Sequence, residues 1–228
     1  AADLHGALCL TEPDAGTDLQ GIKTHAKREG DVYVINGSKM WVTNGVHGSL
    51  YAVLTKTNLD ARPAHKGMTM FLAEKGPGFN VDGKLKKLGY RGVESAALSF
   101  DDFKIGADRV LGGAEGKGMQ HAMGGLELGR INVAARAVGV AKAAMDDAVR
   151  YAQERSTFGK PICEHQSIQI KLADMATNVE ASRLLVEQAA SKYDKGERCD
   201  MEAGMAKLFA SEAALQNATE AMRVHGGY

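Results

Sequence analysis

Residues 32–45 are Val32-Tyr33-Val34-Ile35-Asn36-Gly37-Ser38-Lys39-Met40-Trp41-Val42-Thr43-Asn44-Gly45, and this stretch decides the fold of the N-terminal half. Each of its two apolar runs is followed by Asn-Gly, whose residues both tolerate positive φ and therefore favour tight turns. The pattern predicts strand, turn, strand, turn. Further strands are predicted at Tyr51–Thr55, Met68–Ala73 and Ala96–Phe100, with breaks at Gly76-Pro77-Gly78 and Gly89-Tyr90-Arg91-Gly92. This half is expected to form an antiparallel β barrel or sandwich.

Helical periodicity replaces the strand pattern in the C-terminal half. Apolar residues from Ile168 to Tyr193 recur at alternating steps of four and three, which places them on one stripe of a helix. A second helix carries Met201, Met205, Leu208, Leu215 and Met222, which we interpret as core residues, and a third is expected from about Met119 to Gln153. The predicted fold class is α+β and multidomain: a β domain at residues 1–112, then an antiparallel helical bundle at residues 113–228.

The composition excludes some functions. The 228 residues include 28 basic and 28 acidic side chains, so bulk charge gives no reason to expect binding to nucleic acid or to an anionic membrane. No apolar run reaches the roughly 20 residues that cross a bilayer. The three cysteines form no CxxC and no zinc spacing, which favours a reducing compartment, and Cys9 is expected to be a small buried side chain. The first residue is not Met, so we expect a fragment or a processed product.

A second informative stretch is Leu10-Thr11-Glu12-Pro13-Asp14-Ala15-Gly16-Thr17-Asp18. It combines hydroxyl groups with turn-forming residues, and the only Trp of the chain follows at Trp41. Such groups can hold a flat aromatic cofactor with polar edges. The alternatives are structural: Thr11 and Thr17 as turn caps, and Trp41 as a core residue.

These motifs and several others, in this order, resemble the acyl-CoA dehydrogenase family. The resemblance covers nearly the whole chain and includes Lys87-Leu88-Gly89-Tyr90-Arg91-Gly92, Glu154-Arg155-Ser156-Thr157-Phe158-Gly159-Lys160, Glu164-His165-Gln166 and His225-Gly226-Gly227-Tyr228. It implies a middle β domain and an incomplete C-terminal helical domain of a three-domain protein. Two positions depart from the family pattern, because Gly106 stands where Pro is usual and Arg223 stands where many members carry Gln.

The resemblance implies FAD as the cofactor and α,β-dehydrogenation of an acyl-CoA thioester, in fatty-acid or branched-chain amino-acid breakdown, as the reaction. Backbone N–H groups near Leu10 and the Thr11 hydroxyl would meet the flavin pyrimidine edge. Trp41 would lie against the isoalloxazine and Thr43 near its N5, while Thr17 would reach the pyrophosphate and the substrate.

A second group of residues would reach the FAD of a neighbouring subunit, which implies a homodimer or a homotetramer. These residues are Arg155, Thr157, Phe158, Gln166, Arg223, Gly226 and Gly227. Arginine suits a pyrophosphate because its fork can bind two oxygens. For Arg155, a solvated helix-end cation is the structural alternative.

The resemblance places Leu126, Gly129 and Arg130 at the acyl-CoA, although an exposed Glu127–Arg130 pair is the structural alternative for the arginine. No catalytic residue is assigned within the chain. At one of the two positions that carry the catalytic glutamate in this family, this chain has Gly129. Glu127 lies two residues away and points about 200° around the helix from that position. The base is therefore expected beyond Tyr228, and the chain alone is expected to have little or no dehydrogenase activity.

Other functions stay open. One is a flavoprotein of this fold with other chemistry, such as an acyl-CoA oxidase, a nitroalkane oxidase-like enzyme or a flavin monooxygenase. Another is a non-catalytic member that binds acyl-CoA or nucleic acid, although the neutral charge disfavours the latter. The resemblance suggests electron transfer flavoprotein as the electron acceptor. It also suggests a bacterial cytoplasm or a mitochondrial matrix as the location, with no metal and no membrane insertion.

Overall fold

A computed structural model describes residues 4–228, and the chain divides into two compact units, the first ending at Gly124 and the second running from Gly125 to Tyr228. The first unit contains a curled sheet and the second contains helices, which confirms the predicted α+β class. Between residues 4 and 228, no helix has the length and apolar character that crossing a membrane requires.

The sheet of the first unit has seven strands in the described residues. They are β1 (Gly6–Cys9), β2 (His25–Glu29), β3 (Val32–Thr43), β4 (Leu50–Lys56), β5 (Met68–Ala73), β6 (Phe79–Lys84) and β7 (Ser95–Gly106). The order is β1-β4-β2-β3-β7-β6, with β5 on β4. Most pairings are antiparallel as predicted, but β1 and β2 pair with β4 in parallel. The sheet is therefore mixed.

The predicted turn at Asn36-Gly37 is wrong, because β3 runs through it as one strand of twelve residues. The register with β7 shifts between Ile35 and Gly37, so the dipeptide forms a β-bulge. Asn36 and Asp102 exchange hydrogen bonds across the bulge, and β2 and β7 pair with β3 on its two sides. Pairing on both sides keeps the chain extended where an isolated hairpin would turn. The second predicted turn, at Asn44-Gly45, is present, with Asn44 at φ 59°.

Packed aromatic rings form the centre of this unit. Phe79 meets Phe100 at a centroid distance of 5.1 Å and Phe103 at 5.6 Å, both edge to face. Tyr51 contacts Phe79 from β4, and its hydroxyl donates to the carbonyls of the 44–48 turn. Strands β1, β2 and β6 were not predicted, because they are short and bury few large apolar side chains.

Three long helices account for most of the second unit, and their predicted positions are confirmed. They are α1 (Gly118–Glu154), which begins in the first unit, α2 (Gln166–Asp194) and α3 (Asp200–His225). A short hairpin, β8 (Ser156–Thr157) and β9 (Lys160–Pro161), connects α1 to α2. Buried Met175, Val179 and Ser182 confirm the predicted inner stripe of α2.

Within the described residues, the α3 methionines are not core residues as they were interpreted. Met201, Met205, Leu208, Leu215 and Met222 are all exposed, Leu215 by 67%. Small residues form the buried face of α3 instead: Ala203, Ala206, Ala210, Ala213, Ala214 and Ala221. Alanine is a good helix former on any face, so its pattern carries little sequence signal, although its small size suits close helix packing.

Candidate functional site

The loop that follows β1 is closed by its own backbone. Glu12 and Ala15 exchange two hydrogen bonds, with N···O distances of 2.8 and 3.2 Å, around Pro13 and Asp14. Asp18 then accepts from the Gln20 N–H and caps a short helical turn. Hydrogen bonds thus hold the loop at both ends, and Thr17 lies exposed between them.

Two residues of β3 tie this loop to the sheet. The Met40 N–H donates to the Thr11 carbonyl at 2.8 Å. The Lys39 ammonium donates to the Leu10 carbonyl at 3.0 Å and to the Glu12 carboxylate at 2.9 Å. The structure therefore brings Thr11 next to the segment that carries Trp41 and Thr43. The side chain of Leu10 is buried, so only its backbone is available for recognition.

Trp41 lies at a second bulge of β3, where the register with β7 shifts between Lys39 and Val42. Its backbone is left-handed at φ 60°, and 56% of the residue is exposed. The alternative of a core tryptophan is thus wrong. Thr43 is also exposed, whereas Val42 between them is buried. A bulky residue in a left-handed conformation is strained, and such strain clusters at functional sites.

Glu94 supports the turn after Thr43. Its carboxylate accepts from the N–H groups of Val46 and His47 at 3.0 and 3.1 Å, and its carbonyl accepts from Asn44. Its other carboxylate oxygen, Oε2, is buried without a hydrogen-bond partner among the described residues. Sequence reasoning missed Glu94, because no local spacing connects it to residues 44–47.

The charges beside the loop are buried. Lys39 is 1% exposed and Glu12 is 5% exposed. Burial alone would raise the pKa of Glu12, but the Lys39 ammonium and hydrogen bonds from Lys23 and Thr24 hold it below its usual value. Burial lowers the pKa of Lys39, and the Glu12 carboxylate opposes that change. Each charge thus stabilises the other.

The cysteine beside this pair is not a nucleophile. Cys9 has no exposed surface, and burial raises the pKa of its thiol to about 12 against the weaker opposite effect of Lys39. The thiol stays protonated at neutral pH, and a protonated thiol is unreactive. This outcome agrees with the expected structural role of Cys9.

A second cluster lies in the helical unit, around the hairpin between α1 and α2. The two-residue turn of the hairpin, Phe158 and Gly159, has positive φ at both positions, and Phe158 is 97% exposed. Thr157 contacts the His165 ring nitrogen at 3.1 Å, and the guanidinium of Arg155 lies 5.9 Å from the centre of the Tyr228 ring. A cavity of about 300 Å³ beside Thr157 and Phe158 adds a concave surface.

The remaining predicted residues of this group lie at the ends of helices. Gln166 begins α2 and is exposed. Arg223 pairs with Glu220, and Gly226 ends α3 with φ 71°, followed by exposed Gly227. Because Tyr228 reaches Arg155, the end of α3 lies beside the hairpin.

The predicted substrate residues lie on α1. Gly129 has open space where a side chain would stand. Arg130 is exposed. Its charge also acts on Asp200, whose pKa is lowered mainly by hydrogen bonds from Arg198.

Glu127 accepts a hydrogen bond from the buried Cys199 thiol at 3.1 Å. Burial together with this contact raises the pKa of Cys199 to about 11. Leu126 is half-buried. Glu127 therefore has a structural partner, as expected of a residue that is not the base.

The described residues include no group of three His, Cys, Asp or Glu side chains arranged to hold a metal ion. What the two clusters offer is backbone N–H groups, hydroxyls, exposed aromatic rings and arginine. Such groups suit an aromatic ring system and phosphate oxygens.

Comparison with known proteins gives the family. The profile of the acyl-CoA dehydrogenase middle domain matches residues 7–103, and that of the acyl-CoA dehydrogenase C-terminal domain matches residues 116–228. The chain belongs to the acyl-CoA dehydrogenase family.

Individual relatives agree with this assignment. An acyl-CoA dehydrogenase of Bacillus subtilis is 43% identical, over 100% of this chain and 60% of that protein. The structure of butyryl-CoA dehydrogenase from Megasphaera elsdenii superposes with a TM-score of 0.95 at 44% identity, over 99% of this chain and 58% of that one. A chain of a structure described as the electron transferring flavoprotein of Acidaminococcus fermentans gives a TM-score of 0.95 at 41% identity, over 99% of this chain and 59% of that one. The chain thus spans less than two thirds of the relatives it matches.

Proposed function

We propose that the whole protein is an FAD-dependent acyl-CoA dehydrogenase, which converts an acyl-CoA thioester to the trans-2-enoyl-CoA. The observation that carries the proposal is the exposed, strained Trp41 held beside Thr11 by hydrogen bonds from Lys39 and Met40. Strain at an exposed aromatic residue has no use in packing, but it fixes a flat surface for a flat ligand.

FAD fits this surface. The Trp41 ring can lie against an isoalloxazine, and the hydroxyls of Thr11 and Thr43 can bond its polar atoms, while Thr17 suits the pyrophosphate. When bound, FAD accepts the hydride that leaves the β carbon of the acyl group. The residues of this chain would hold and orient the cofactor.

We further propose that the cofactor is shared between two copies of the chain. Arg155 and Thr157, with Phe158, Gln166, Arg223, Gly226 and Gly227, would contact the adenine and pyrophosphate part of the FAD of a partner subunit. The exposed hairpin turn supports this role, because a 97% exposed Phe158 contributes nothing to the core of its own chain. A homodimer is then the smallest functional unit.

The substrate would lie along α1, with Leu126 and Gly129 at the acyl chain and Arg130 at the CoA. The open space at Gly129 supports room for an acyl group there. Glu127 is a poor base because Cys199 donates to its carboxylate. The base that removes the α proton is therefore proposed to lie outside residues 1–228. The relation to the butyryl-CoA dehydrogenase makes a short acyl chain the first substrate to assay, and electron transfer flavoprotein is the proposed acceptor.

The test is a steady-state assay of the full-length protein with acyl-CoAs of graded length and branching. We expect stoichiometric FAD in the purified protein and enoyl-CoA formation that requires an electron acceptor. Turnover with oxygen alone would instead indicate an oxidase. A colourless protein that binds acyl-CoA without oxidising it would indicate a non-catalytic member and would overturn the proposal.

A further inference from the structure

Lys39 is a lysine without exposed side-chain surface in the middle of a β-sheet. Its ammonium has two oxygen partners, the Leu10 carbonyl at 3.0 Å and Glu12 Oε1 at 2.9 Å. Glu12 also accepts from the N–H groups of Lys23 at 2.6 Å and Thr24 at 3.1 Å, so three donors hold its carboxylate. The pair is thus built into a fixed network with the 10–18 loop.

Stability alone does not explain such a pair. Taking two charges out of water costs free energy that their attraction repays only partly, and apolar replacements of buried ion pairs are often as stable or more stable. An apolar pair at these positions could also pack the 10–18 loop against β3. What an apolar pair could not do is bind the Leu10 carbonyl.

The contact to Leu10 has a geometric consequence. The carbonyl of Leu10 and the N–H of Thr11 belong to one planar trans peptide, so they point in opposite directions. Because the carbonyl is aimed at Lys39, the Thr11 N–H is aimed away from the interior. The adjoining bond from Met40 to the Thr11 carbonyl fixes the next peptide in the same way. Lys39 thus orients a backbone donor beside the Thr11 hydroxyl.

We propose that Lys39 is a positioning residue for the flavin: it aims the Leu10–Thr11 peptide so that the Thr11 N–H and hydroxyl meet the polar edge of the ring. Glu12 compensates the buried charge and holds the ammonium in place. This inference rests on the proposed function. It gives the ion pair of Glu12 and Lys39 a role that neither the family motifs nor the spacing of the two residues assigned.

The test uses the full-length holoprotein and two variants, Lys39→Met and the double variant Glu12→Gln/Lys39→Met. The single variant leaves an unpaired buried carboxylate and is expected to lose stability. The double variant replaces both charges with neutral groups of similar size, so it is expected to fold while the Leu10 carbonyl still lacks its donor. The control is Lys192→Met/Glu202→Gln, which removes another lysine–glutamate pair, in the helical unit.

FAD dissociation, the flavin absorption spectrum and the flavin midpoint potential are measured on each folded variant. We expect FAD affinity to fall about ten-fold or more in the double variant, as for a lost hydrogen bond to a ligand. We also expect its spectrum and potential to shift, with the control unchanged. A folded double variant with wild-type affinity, spectrum and potential overturns the inference while leaving the proposed function intact. A wild-type protein that binds no FAD overturns both.

Discussion

At the scale of single residues, the proposed role of Trp41 separates its effect on binding from its effect on stability. The exposed side chain adds little to the core. The left-handed backbone conformation at this position costs about 1 kcal/mol for any L-residue except a few small polar ones. Glycine removes that strain but adds chain entropy to the unfolded state, and the two effects nearly cancel.

We therefore expect Trp41→Gly to change the free energy of unfolding by no more than about 1 kcal/mol, while FAD affinity falls strongly. Trp41→Phe, which keeps a flat ring, should retain most of the affinity. Thermal unfolding of the apoprotein and FAD titration measure the two effects. A large loss of stability in Trp41→Gly would show that the indole packs in the core.

Glu12 predicts a pH dependence of stability. Its folded-state pKa lies below the unfolded value of about 4.3. The ionised carboxylate therefore contributes stability above that pH, and the contribution is lost as the pH falls through the folded-state pKa.

Glu12→Gln should be less stable than the wild type by about 3 kcal/mol at pH 7, because it leaves the Lys39 charge unpaired. The difference should narrow as the pH falls below the unfolded-state pKa of about 4.3 and through the lower folded-state pKa. Urea unfolding of both proteins across this range is the measurement. A difference that stays constant with pH would contradict the assignment of the charge to Glu12.

At the scale of elements, the sequence predicted the helices well and the sheet partly. Helix bounds were predicted within a few residues because the periodicity of Ile168 to Tyr193 extends over many turns. Asn36-Gly37 was misassigned because a hairpin turn and a bulge use the same residues, and only the pairing with β2 and β7 decides between them. The pairing of β1 with β4 had no signal, since it joins residues far apart in sequence.

The bulge gives a test with an internal control. Gly37 has φ 141°, and a Cβ there would lie 2.5 Å from Thr24 Oγ1 and 2.6 Å from its Cα. Gly30 also has positive φ, but a Cβ there would meet nothing within 4 Å. Gly30→Ala should therefore cost about 1 kcal/mol, and Gly37→Ala about 2 kcal/mol more. Equal losses in chemical denaturation would show that the close approach to Thr24 does not exist.

At the scale of the whole molecule, the sequence motifs predicted the residues of both candidate clusters but not the groups that support them. The hydroxyls and aromatic residues lie in recognisable motifs. The supporting roles of Glu94 and of the buried pair Glu12 and Lys39 can be seen only from contacts across the sheet. The same holds for α3, whose apolar row is exposed although its spacing suggested a core.

That row, exposed among the described residues, is a candidate surface for the proposed association of two copies. Met201, Met205, Leu208, Leu215 and Met222 follow a spacing typical of a helix–helix seam, and exposed apolar rows mark interaction sites. Leu208→Glu/Leu215→Glu should convert the full-length oligomer to a smaller species in analytical ultracentrifugation, with the helical circular dichroism retained. Lys207→Glu/Gln216→Glu, at exposed neighbouring positions, is the matched control. An unchanged oligomer in the leucine variant would place the interface elsewhere.

The most direct test of the account is anaerobic mixing of the full-length holoprotein with butyryl-CoA while its visible spectrum is recorded. We predict that the flavin absorbance is lost as enoyl-CoA forms, and that the folded Trp41→Gly variant fails to retain the flavin that shows this change. A wild-type protein whose flavin stays oxidised with every acyl-CoA tried, or a Trp41→Gly variant that retains and reduces its flavin normally, would contradict the account.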